Sequence, residues 1–178
     1  MISPEQGVEL LEKHGISERR IRHSLGVAEI AHGLAVEIAS RNPGINVNPE
    51  KVRIAALLHD IGRSRKAGDH VLNSIAILRE EGLDDLAEIV MHGSAYEEAL
   101  LRGIDDPSLL PDSTENKIVA YADTRFRLSG ITMQERLAEA AQRRADKPDK
   151  IKAIDMARPR YQALEEELRA LAGNAGMP

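Results

Sequence analysis

The run Ile54-Ala55-Ala56-Leu57-Leu58-His59-Asp60-Ile61-Gly62-Arg63 sets an imidazole and a carboxylate side by side at the end of a strongly apolar segment. Upstream, Asn48-Pro49 supplies an N-cap followed by proline at the first helical position, so the segment reads as a helix ending near Asp60. Val52 and the run from Ile54 to Leu58 leave its second half little polar surface, which makes it the central buried helix. An ionisable pair is expensive there: an unpartnered buried polar group costs roughly 2–7 kcal/mol, and a charge more. A bound cation is the simplest group that would offset that cost.

Outward from this run the chain reads as helix after helix. Ser3-Pro4 opens a helix over about 4–14 that Gly15 stops, and Ser17 caps a longer one reaching about Arg41, before Asn42-Pro43-Gly44. A basic turn, Gly62-Arg63-Ser64-Arg65-Lys66-Ala67-Gly68, leads into a helix from about His70 to Glu81. Shorter helices are expected over 83–92 and 94–102, and an irregular acidic loop over 103–112. Ser113 or Thr114 caps the next helix, and Thr132 with Glu135 forms a capping box for a helix to about Arg144. Pro148 opens a last helix to about Leu171, with a kink expected at Pro159. With no strand, repeat or low-complexity tract in this reading, the expected fold is all-α, a compact helical bundle. A single domain over 1–178 is expected, its core at about 17–128 and C-terminal helices at 132–172 packed on it.

Composition narrows the function classes. Zero cysteines exclude disulfides, thiolate metal sites and cysteine nucleophiles, leaving imidazole and carboxylate as metal ligands. The net charge of −5, with three tyrosines, one phenylalanine and no tryptophan, argues against general nucleic-acid binding. A nucleotide-sized substrate needs only local positive charge. The start, Met1-Ile2-Ser3-Pro4, lacks a basic and apolar leader, and no apolar run approaches the ~20 residues of a membrane span, so a cytoplasmic location is expected.

Two further polar residues fall on apolar helix faces. His23 heads the stripe Val27, Ile30, Leu34, Ile38, and Asp123 shares a stripe with Val119, Ala122 and Phe126. Together with His59 and Asp60 they form a four-residue ligand set for a divalent cation. His32 lies half a turn away from His23 and is excluded; His14 at a helix end is explained by the helix dipole. His70 and His92 stand at helix ends, where an ordinary capping histidine and a ligand at a site mouth are alternative readings. If both face Asp60, that carboxylate would bridge a second cation.

The set His23, His59-Asp60 and Asp123 resembles the H…HD…D motif of the HD superfamily of metal-dependent phosphohydrolases, and Ile61-Gly62 matches its HDIG-type members. The context Lys117-Ile118-Val119-Ala120-Tyr121-Ala122-Asp123 is similar to that of the family's last ligand. His70 and His92 are similar to the two extra histidines of members that hold two metals, including dinucleoside tetraphosphate hydrolases. The resemblance covers about 17–128, and Thr132 to Arg144 also looks like uncharacterised HDIG-type proteins. It departs in its short step from Asp60 to His70, and no GYP-type signature follows, which disfavours cyclic dinucleotide cleavage.

The resemblance implies one or two divalent ions, of Mn, Fe, Ni, Co, Zn or Mg, and hydrolysis of a nucleotide or similar small phosphorylated compound. Asp60, Arg63 and Lys66 are the expected catalytic residues, the last two as phosphate clamps. Arg65 is equally a solvated residue of the basic turn, and Arg125 and Arg127 read first as surface ion-pair residues. A catalytically silent metal- or nucleotide-binding sensor or interaction module is the alternative. Glu165-Glu166-Glu167 beside Leu164 and Leu168 reads as a solvated amphipathic face, with a partner or homodimer surface as its alternative.

Overall fold

A computed structural model of the chain describes residues 1–126, 135, 138, 139, 142, 146–173 and 177. The described residues contain no strand. The helices are α1 (Pro4–Lys13), α2 (Glu18–Arg41), α3 (Pro49–Leu58), α4 (His70–Glu80), α5 (Asp84–Ala87), α6 (Ala95–Leu101), α7 (Thr114–Arg125) and α8 (Pro148–Ala172). Short 3-10 turns occupy Ile61–Ser64 and Pro107–Leu109. The helix expected over 132–144 and the side chain of Arg127 fall almost wholly outside the described residues.

Local chemistry explains most helix starts. The Ser3 hydroxyl accepts the Gln6 N–H while the Gln6 side chain accepts the Ser3 N–H, a reciprocal capping box with Pro4 at the first helical position. Asn48, Asp69 and Ser113 accept backbone N–H groups at the starts of α3, α4 and α7. Ser17 takes the N-cap position of α2 without a side-chain cap bond.

The long helix α2 lies against both α3 and α7, and those two also touch each other. Val27, Leu34 and Ile38 from α2, Leu57 and Leu58 from α3, and Ile118 from α7 are all buried in one core. α1 and α5 cover α3, and α8 covers α2, α6 and α7. α4 docks on the 3-10 turn that follows Asp60. Along α8, Tyr161, Leu164 and Leu168 face inward while Glu167 pairs with Lys117 and Glu165 with Arg169, an amphipathic helix with a solvated face. Pro159 lies inside α8 without ending it. No helix of the described residues is long and apolar enough to cross a membrane.

The segment 83–92 departs from expectation. Only Asp84–Ala87 is helical, and the chain then runs irregularly through Ile89, Val90 and Met91, all buried. Its backbone groups are taken by side chains instead of a helical ladder: Asn116 donates to the Met91 carbonyl at 2.8 Å, and His92 to the Val90 carbonyl at 2.8 Å.

Candidate metal centre

His59 caps the C-terminal end of α3, where its Nδ1–H donates to the Ala56 carbonyl at 2.7 Å. That bond points Nε2 away from the helix and into a pocket of polar groups. From α2, His23 Nε2 lies 3.1 Å from Asp123 Oδ1 of α7, and His59 Nε2 lies 3.4 Å from the same oxygen. His92 uses Nδ1 on Val90, which leaves Nε2 3.6 Å from Asp60 Oδ1. His70, the first residue of α4, brings Nε2 to 3.5 Å from that same oxygen.

All six expected ligand residues therefore converge. Three triads have ligand atoms within 4.8 Å of one another: His23, His59 and Asp60; His59, His92 and Asp123; Asp60, His70 and His92. His59, Asp60 and His92 each belong to two of the three, and of these Asp60 is the carboxylate. His32 and His14 lie apart from the cluster, on Glu50 at 3.0 Å and Glu81 at 2.9 Å.

The residues fit a cation. His59 Nε2, Asp60 Oδ1 and His92 Nε2 are buried without a hydrogen-bond partner, and they face one another. Buried polar atoms are almost always satisfied, so three orphans in one cluster mark a missing positive partner. Imidazole nitrogen and carboxylate oxygen suit borderline divalent ions.

The electrostatics follow from this crowding. Burial opposes charging of His59, but the Asp60 carboxylate and then Asp123 outweigh it and lift its pKa to about 9. Burial likewise works against ionisation of Asp60 and Asp123, yet His59 with His92 and Arg63 holds the first well below the usual carboxylate range, and the bond from His23 with the nearby His59 does so for the second. His70 is pushed down to about 3 by burial, then by His92 and Arg63. A neutral His70 matches its geometry: Arg63 Nη2 donates to its Nε2 at 2.8 Å, which places the ring proton on Nδ1, toward Asp69.

Of the expected clamps, Arg63 reaches the cluster, with Nε 2.5 Å from Asp60 Oδ2. Lys66 is exposed farther along the turn, and Arg65 turns outward onto Glu80 at 2.6 Å. Sequence reasoning missed Ser74, one helical turn beyond His70. Its buried hydroxyl accepts the Gly62 N–H at 2.9 Å and shares its proton between the His59 and His70 carbonyls at 2.7 and 3.0 Å. It thus ties α4 to the turn that carries Asp60. Its spacing from His70 was the available signal.

A helical bundle that brings four imidazoles and two carboxylates to one point is an all-α domain with a candidate metal centre. Its residues 20–127 match the HD domain family, and the chain belongs to that family. It is 41% identical over 117 residues to an uncharacterized protein of Methanocaldococcus jannaschii, covering 62% of this chain and 68% of the relative. It is also similar to two proteins named tRNA (cytidine(56)-2'-O)-methyltransferase. One, from Thermoplasma volcanium, is 39% identical over 71% of this chain and 37% of the relative. The other, from Picrophilus torridus, is 28% identical over 95% of this chain and 47% of the relative. The chain thus spans less than half the length of either methyltransferase-named relative. No solved structure matches it significantly.

Proposed function

We propose that the chain is a metal-dependent phosphohydrolase that cleaves a phosphate ester of a nucleotide or similar small phosphorylated compound. The observation that carries this reading is the cluster of orphaned buried ligand atoms around Asp60, in a chain of the HD family. His23, His59, Asp60 and Asp123 would hold one divalent cation, and His70 and His92, with Asp60 as the bridge, a second. When bound, such ions lower the pKa of water and polarise a phosphoryl oxygen. The chain's own contribution is orientation and charge. The Ala56 and Val90 carbonyls fix the tautomers of His59 and His92, so both present an unshared Nε2 pair once His59 sheds its proton. Asp60, held ionised, would serve as a ligand and not as the proton acceptor, since so weak a base accepts protons poorly.

Arg63 is the phosphate clamp. In the metal-free protein Nε is engaged by Asp60 and Nη2 by His70, which leaves Nη1 to donate to a phosphate oxygen; with His70 on a cation, Nη2 would be released to join it. Lys66, exposed beyond it, would meet a more distal phosphate or ribose group of the substrate.

The test is turnover of a phosphomonoester and phosphodiester panel by metal-stripped protein, with Mn²⁺, Ni²⁺, Co²⁺, Fe²⁺ or Mg²⁺ restored singly. Metal-dependent hydrolysis that Asp60→Asn abolishes is expected. Turnover indifferent to metal, or surviving Asp60→Asn, overturns the reading. The second reading is a silent metal- or nucleotide-binding module. It is supported by the methyltransferase-named relatives, in which the similar stretch is a minor part of a longer chain. Nucleotide binding without product in the same panel would favour it.

A further inference from the structure

His92 sits on irregular chain, with neither a helix nor a strand to hold its backbone. A metal ligand in that position needs its main chain fixed from outside. The fixing comes from α8, which lies beyond the family-matched residues 20–127. The buried Tyr161 hydroxyl accepts the Gly93 N–H at 2.8 Å and donates to the Gly93 carbonyl at 3.3 Å. Arg160 Nη2 donates to the same carbonyl at 3.0 Å, and its guanidinium forks onto the buried Glu97 carboxylate of α6 at 2.8 and 2.9 Å. Gly93 has a φ of 72°, the left-handed region where glycine carries no penalty, so its peptide groups turn toward α8.

Two consecutive residues of α8 thus hold Gly93, Tyr161 at the peptide that joins it to His92 and both at its carbonyl. We propose that Tyr161 and Arg160 are positioning residues of the metal centre, which set where His92 Nε2 stands relative to Asp60 by pinning Gly93 from a helix outside the HD motif. The inference rests on the reading of His92 as a ligand given above. Generic packing would account for a buried tyrosine ring but not for both peptide groups of one glycine being taken by its hydroxyl.

The experiment is a calorimetric Mn²⁺ titration of metal-stripped wild type, His92→Ala, Tyr161→Phe and the double variant, with melting curves of each metal-free protein. His92→Ala identifies the ion that His92 holds. Tyr161→Phe keeps the ring and removes only the hydroxyl; it is expected to weaken that same ion about tenfold, in line with outer partners of metal ligands, and to leave other Mn²⁺ binding unchanged. In the double variant, Tyr161→Phe should add nothing to His92→Ala. Arg160→Lys, which keeps the charge and loses the fork, should show a smaller effect of the same selectivity. Unchanged affinity in Tyr161→Phe overturns the proposal, as does equal weakening of all binding with a lower metal-free melting temperature. If His92→Ala itself leaves Mn²⁺ binding intact, the reading of His92 as a ligand fails, and the proposal with it.

Discussion

Replacing Gly62 with alanine tests how the motif turn places α4. A Cβ on Gly62 would stand 2.1 Å from the His70 carbonyl oxygen, 2.3 Å from the Ser74 nitrogen and 2.8 Å from the Asn73 carbonyl carbon. All three are backbone atoms, so no side chain can swing aside, and contact distances of about 3.5 Å require α4 to retreat by about 1.4 Å. His70 Nε2, now 3.5 Å from Asp60 Oδ1, would move with it. The Ser74 bonds to Gly62 and His59 would stretch as well. Overpacking costs about 1–3 kcal/mol and each weakened hydrogen bond about 0.5–1.5, so a loss of about 3 kcal/mol is expected. In a chain of this size that lowers the melting temperature by about 6–12 °C. Calorimetric melting measures the loss, and Mn²⁺ titration should show weakened binding at the His70 side with the His23 and Asp123 side retained. Wild-type melting together with unchanged Mn²⁺ binding would refute this account of the turn. Ser74→Ala, which adds no bulk, should reproduce the selectivity with a smaller thermal loss.

The metal-free protein should be most stable near pH 6.5, the ordinary histidine value. His59, lifted to about 9 by Asp60 and Asp123 against its burial, contributes stability that is full below 6.5 and lost as pH rises through 9. His70, pushed down to about 3 by burial and then by His92 and Arg63, contributes stability that is full above 6.5 and lost as pH falls toward 3. Melting temperatures across this range that stay flat, or climb steadily to pH 9, would contradict these directions. Leu34→Ala, at a site 1% exposed in the core, should cost about 2–5 kcal/mol in urea unfolding, and a loss well below that would show the core to be looser than described.

Much of the fold was legible because its signals are local. Ser3, Asn48 and Ser113 cap helices through bonds to N–H groups a few residues away, and such chemistry is written in adjacent positions. The stripes that carry His23 and Asp123 follow from the helical period alone. The irregular path from Glu88 to Gly93 was not legible, since the groups that replace its helical bonds, Asn116 and Tyr161, stand far away along the chain. Arg63 was expected as a phosphate clamp, but its bonds to Asp60 and His70 appear only once the turn and α4 are docked together.

The sequence by itself therefore determined the helical class, the central apolar helix ending in His59-Asp60, and the residue types available to hold a cation. Tertiary structure alone decided that His70 and His92 both aim Nε2 at one oxygen of Asp60, at 3.5 and 3.6 Å. It also decided that α8 fixes the segment on which His92 stands. The reason is physical: periodicity and capping act over one or two turns, whereas His23 meets Asp123 across 100 residues of chain, and only the packing of whole helices carries that information.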